Sequence, residues 1–90
     1  MNKAELIEAM AEKTSTTKKE SERHLDAFIE TVSQNINTDE GVKLVGFGSF
    51  LVTERKSRVG RNPQTGDEIQ IPARRVPVFR PGSELKKICN

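Results

Sequence analysis

Between positions 55 and 75 the chain reads RKSRVGRNPQTGDEIQIPARR, where only Val59, Ile69, Ile71 and Ala73 are apolar. Six of these 21 residues are basic (Arg55, Lys56, Arg58, Arg61, Arg74, Arg75) and two are acidic. Folding is driven chiefly by burial of apolar surface, so this segment can neither build a core nor join one. Its centre, Gly60-Arg61-Asn62-Pro63-Gln64-Thr65-Gly66, is turn chemistry. Pro63 presets φ for a central turn position, Asn62 suits the position before it, and Gly66 can take φ > 0. Two polar limbs joined by such a turn predict a β-hairpin arm standing out from a base built by the other residues.

That base is small. Without the arm, 69 residues remain, with four Phe and no Trp or Tyr. A core of this size is marginal alone, and completion by a second chain is expected. Charge is divided along the chain. Residues 1–40 carry five Lys and Arg against nine Asp and Glu, whereas residues 41–90 carry ten against four. Such a division directs the basic half toward a polyanion. The single Cys excludes an internal disulfide and suits a reducing cytoplasm. No apolar run in the first 30 residues reaches the length of a signal-peptide core, and none approaches the roughly 20 residues of a membrane span. No membrane contact is expected.

Asn2-Lys3-Ala4-Glu5 is a capping-box pattern, after which Leu6, Ile7, Met10 and Ala11 fall on one helical face. This helix is predicted to stop near Lys13. Thr17 with Glu20 repeats the box, and Leu25, Phe28, Ile29, Val32 and Ile36 follow at helical spacing. The second helix is predicted over about 18–37. Val42-Lys43-Leu44-Val45 and Phe50-Leu51-Val52-Thr53 read as strands flanking the tight Gly46-Phe47-Gly48-Ser49 connection, with Phe47 in the core. The second strand is expected to run unbroken into the arm. Ile69-Gln70-Ile71 returns, Val76 to Arg80 forms a third strand, and Pro81-Gly82-Ser83 starts a last helix with Leu85, Ile88 and Cys89 inward. Pro72 within the returning limb is tolerated only at an edge or bulge. The expected fold is α+β, in the order ααβββα with the arm between the second and third strands. It is one domain over 1–90: a helical base (1–40), a three-stranded antiparallel sheet (41–54 and 76–82), the arm (55–75) and a C-terminal helix (83–90).

Gly46-Phe47-Gly48-Ser49-Phe50, the tip from Gly60 to Gly66, Ala73-Arg74-Arg75-Val76 and Phe79-Arg80-Pro81-Gly82 together resemble the bacterial histone-like HU/IHF family, over essentially the whole chain. The resemblance implies an intertwined dimer, homomeric or paired with a paralogue, whose two β-ribbon arms wrap duplex DNA through the minor groove. A proline at each tip wedges between base pairs and kinks the helix, as in minor-groove architectural proteins generally. It implies a shared core containing Phe28, Ile29, Val32, Leu44, Phe47, Phe50 and Phe79. It implies DNA contacts by Arg55, Lys56, Arg58, Arg61, Asn62, Pro63, Gln64, Arg74 and Arg75 on the arm, with Pro63 the wedge. Lys3, Arg80, Ser83, Lys86 and Lys87 would meet the flanks, although Lys86 and Lys87 could equally complement a helix dipole. Lys3 and Asp26 resemble a surface pair of the family that limits how much DNA is engaged. The Ala73 to Val76 and Phe79 to Gly82 runs look nearer to the sequence-preferring IHF branch. The tip suits HU equally.

An arm limb of eight residues at about 3.3 Å each is roughly 26 Å long, enough to pass round a duplex. The implied function is architectural: binding, bending and organising DNA of the nucleoid, with no cofactor. Binding of RNA or single strands is a second class. It calls for aromatic stacking platforms, whereas all four Phe occupy core-like positions. A scaffold whose arm docks an acidic protein is a third. His24 stands alone and reads as a solvent-facing helix residue, without the cluster a metal or a catalytic site needs.

Overall fold

Asn2 opens the first helix, α1 (Lys3–Thr14), its side-chain oxygen accepting from the Glu5 N–H at 2.9 Å. The helix closes at Ser15 in left-handed conformation (φ 56°), with the Thr16 N–H on the Ala11 carbonyl at 3.0 Å. Thr17 then caps α2 (Lys18–Asn35), its hydroxyl accepting from the Glu20 N–H at 3.1 Å. Both caps follow the sequence pattern. Between them the hydroxyls of Thr14, Thr16 and Ser21 form a chain with spacings of 2.8 and 2.9 Å. Ser21 is buried, and this chain satisfies its hydroxyl.

The computed structural model describes residues 1–90 as two units, Met1–Asn35 and Ile36–Asn90. In the first, the buried apolar residues are Ile7 and Ala11, both on the α1 stripe. The α2 stripe is less covered. Leu25 and Val32 are half-buried, while Phe28 and Ile29 stay 42 % and 46 % exposed.

In the second unit, β1 (Val42–Leu44), β2 (Gly48–Arg55) and β5 (Arg74–Pro81) form an antiparallel sheet in the order β1-β2-β5. The strands β3 (Arg58–Arg61) and β4 (Glu68–Ile71) pair separately as the arm. The expected unbroken second strand is therefore interrupted at Lys56 and Ser57, opposite Pro72 and Ala73. Pro72 has no N–H to donate, and the ladder fails around it. The register survives the interruption. Arg55 faces Arg74 before it and Arg58 faces Ile71 after it, with no residue inserted on either side.

Phe79 lies between two other rings, 4.8 Å from Phe50 and 5.4 Å from Phe47 by centroid. Gly48 permits this packing, because a Cβ there would come within 2.5 Å of the Phe79 ring and 2.6 Å of the Arg80 carbonyl oxygen. Phe47, expected in the core, is 46 % exposed at the turn closed by its N–H on the Leu44 carbonyl. No large side chain is fully buried, which is the state expected of half a core. The last helix, α3 (Ser83–Cys89), is tied at its start by the Gly82 N–H on the Phe47 carbonyl at 2.8 Å. Its far end is not anchored. Ile88 is 81 % exposed and Cys89 is exposed, so these two are not inward; only Leu85 is half-buried.

Candidate nucleic-acid interface

Alternation along paired strands sorts the sheet into two faces. Val42, Leu44, Phe50, Val52, Pro77 and Phe79 share one by their pairing. The other carries Lys43, Ser49, Leu51, Thr53, Arg55, Arg74, Val76, Val78 and Arg80. Every charged residue on this second face is basic. Arg55 and Arg74 are direct cross-strand partners at its outer end, and like charges so placed repel unless an anion lies between them. Lys43, Ser49 and Arg80 form a row across all three strands near its inner end.

Arg75 departs from the expectation. Adjacent residues of a strand point to opposite faces, so Arg75 lies on the aromatic face, opposite Glu54. Lys43 and Ser49, in contrast, were not among the expected contacts. Their signal was present in the alternation with Leu44 and Phe50, but only the β1-β2-β5 register shows that they align with Arg80.

At the root of the arm, Arg55, Lys56, Arg58 and Arg74 line a concave space of about 290 Å³ with Ile71 and Pro72. Four cations and no acid surround it, which makes it a site of concentrated positive potential. Farther out, Arg58 and Arg61 sit on opposite faces of the ribbon, opposite Ile71 and Glu68. Asn62 builds the tip. Its N–H donates to the Asp67 carbonyl at 2.8 Å, its carbonyl accepts from Gly66, and its side-chain oxygen accepts from Gln64 N–H at 2.9 Å. Gly66 has φ 75°, a conformation that costs glycine nothing. This frame leaves Pro63 and Gln64 exposed at the extremity.

Ser83, at the start of α3, shares a concavity of about 390 Å³ with Lys43, Ser49 and Arg80. Lys86 and Lys87 lie in the last turn of α3, where cations favour the helix dipole. In the helical unit, Lys3 Nζ donates to Asp26 Oδ1 at 2.7 Å. That hydrogen bond, together with the carboxylate charge, holds the Lys3 ammonium above the usual lysine range. His24 is exposed, with Nε2 3.3 Å from Glu20 Oε1 one helical turn away. No helix is long and apolar enough to cross a membrane.

Residues 1–90 match the family described as bacterial DNA-binding protein. The chain is 49 % identical over 90 residues to DNA-binding protein HU-1 of Halalkalibacterium halodurans, covering all of both chains. It is 48 % identical to the integration host factor subunit alpha of an Anaeromyxobacter species, over 100 % of this chain and 91 % of that one. Among solved structures, that of Anabaena HU in a cocrystal with DNA superposes with a TM-score of 0.90 at 47 % identity, over 99 % of this chain and 97 % of the other.

Proposed function

The chain belongs to the bacterial DNA-binding protein family that includes HU and integration host factor subunits, and on that premise we propose that it binds and bends duplex DNA as a dimer, without catalysing a reaction. The observation that carries this reading is the wholly basic charge of one sheet face, continued into the four-cation root of the arm. Arg55, Arg74, Arg80 and Lys43 meet phosphates along that face. Lys56, Arg58 and Arg61 follow the minor groove, where they neutralise the bordering phosphates and arginine also reads width and A·T content and little exact sequence. Ser83 and Lys86 take the flanking backbone. Lys3 joins them once a phosphate displaces Asp26. Acting on the chromosome, the protein is a nucleoid component of the cytoplasm.

Pro63 is the wedge. Asn62 and Gln64 hold it at the tip of a charged ribbon, where its ring has no apolar neighbour to cover it, and a base-pair step supplies one. Unstacking that step costs a few kcal/mol, offset by the contacts a bent duplex allows. Pro63→Ala is therefore expected to reduce the bend of a doubly labelled duplex, read by fluorescence transfer, while affinity changes by less than about tenfold. An unchanged bend angle would remove the wedge from the mechanism. The three clustered rings also favour duplex over single strands, since Phe50, Phe79 and Phe47 are engaged with one another.

Dimerisation follows from the α2 stripe. Ile29, 46 % exposed in one chain, is assigned to the shared core with Phe28, Val32, Leu44, Phe47, Phe50 and Phe79. Ile29→Asp puts an unpaired charge into that core, at a cost of several kcal/mol. Sedimentation equilibrium is expected to show a shift to monomer, with loss of helical signal on dilution. A variant as dimeric as the parent would exclude this face.

A further inference from the structure

A loop of opposite charge overhangs the inner end of the basic face. Asp39 and Glu40 line a concave space of about 300 Å³ together with Lys43, Ser49, Leu51 and Arg80. Those four strand residues belong to the basic face by their register, and Thr38 and Val52 complete the lining. The loop is fixed in place. The Gly41 N–H donates to Thr38 Oγ1 at 3.1 Å, and Gly41, at φ 66°, sits so close to the Phe50 carbonyl that any side chain there would collide. The carboxylates are not tied up by the cations they face, since the ion pairs formed within 4.0 Å lie in the helical unit. Two acids and two bases thus line one concave space, and charges gathered in this way act on one another before salt, with a Debye length of about 8 Å at 0.15 M, screens them from more remote groups. A phosphate that enters this space to reach Lys43 and Arg80 meets Asp39 and Glu40 as well.

We propose that Asp39 and Glu40 act as an electrostatic brake on the inner end of the interface, lowering the hold of Lys43 and Arg80 on backbone phosphates so that the grip is concentrated at the arms. The brake rests on the duplex-binding reading above, and it predicts that removing two negative charges at this loop has an effect that removing them elsewhere does not.

The test compares Asp39→Asn/Glu40→Gln with Glu8→Gln/Glu12→Gln, which changes net charge equally on exposed positions of α1. Binding of each full-length variant to a random-sequence duplex is measured from 50 to 200 mM salt. One phosphate contact contributes a salt slope of about 0.9, or about 3.5-fold across that range. The loop variant is expected to bind about 3–10-fold tighter at 50 mM, with a slope steeper by about 1–2, as one or two contacts are strengthened. The α1 variant is expected to stay within about twofold, the effect of an equal change in net charge at residues that do not line that space. In a Lys43→Gln/Arg80→Gln background the gain is expected to vanish. An unchanged loop variant, a gain matched by the α1 variant, or a gain that persists without Lys43 and Arg80 would each overturn the brake while leaving duplex binding intact. Absence of duplex binding by the parent protein would overturn the functional reading itself, and the brake with it.

Discussion

Replacing residues 56–73 with Asn-Gly is expected to weaken duplex binding by about 10³–10⁴-fold at 0.15 M salt. The excision removes Lys56, Arg58 and Arg61, six cations in a dimer. Each phosphate contact contributes about 0.9 log unit of affinity per decade of salt, so six contacts amount to about four log units between 1 M and 0.15 M. The salt slope itself is expected to fall by about five. The fold survives the cut. Arg55 and Arg74 already face each other across β2 and β5, and a two-residue Asn-Gly turn closes such a pair. The arm contributes little to any core, since Val59 and Ile69 on it are exposed. Thermal unfolding of the shortened protein should therefore stay close to that of the parent. Binding within tenfold of the parent at physiological salt, by a shortened protein that unfolds normally, would show that the arm is not the gripping element.

The second large effect is on stability. Phe79→Ala removes the ring that touches both Phe50 and Phe47 and lies over Gly48. A fully buried Phe→Ala change costs about 3–5 kcal/mol. Each lost aromatic pair accounts for about 0.5–1.5 kcal/mol of this. Phe79 is 37 % exposed in one chain, so about 2–3 kcal/mol is expected. For a domain of this size that corresponds to a fall in Tm of about 10–20 °C by calorimetry. Phe79→Leu, which keeps most of the apolar volume, should recover about half the loss. If the alanine variant melts within a few degrees of the parent, the three-ring cluster is not what holds β2 to β5.

Much of this architecture could be read from the residues because it is specified locally. The caps at Asn2 and Thr17 need only a side chain and the three residues after it. The tip needs only Asn62, Pro63 and Gly66, and the arm declares itself by its lack of apolar side chains. What could not be read depends on partners distant in sequence. Arg74 and Arg75 are adjacent, so only one of them can share a face with Arg55, and nothing local says which. The pairing of Arg55 with Arg74 decides it. Lys43 and Ser49 join the row with Arg80 on the basic face by the same route. Pro72 marks a disturbance by its chemistry alone, but only the register on either side places it opposite Ser57. Ser21 carries no local sign that it is buried, and its hydroxyl is satisfied only through those of Thr16 and Thr14 across the corner. Helical spacing puts Ile88 and Cys89 on one face of the last helix without saying how far along the helix that face is covered, and both are exposed.

The gap in the ladder at 56–57 and 72–73 has a mechanical meaning. Fewest backbone bonds resist bending there, so the ribbon yields at that line before it yields elsewhere. Yet the two strands meet again with the same partners they would have had without it. A joint of this kind turns like a door on its pin: the outer part can swing to follow a curved object, while sliding is forbidden and the same side chains are always presented to whatever it closes on.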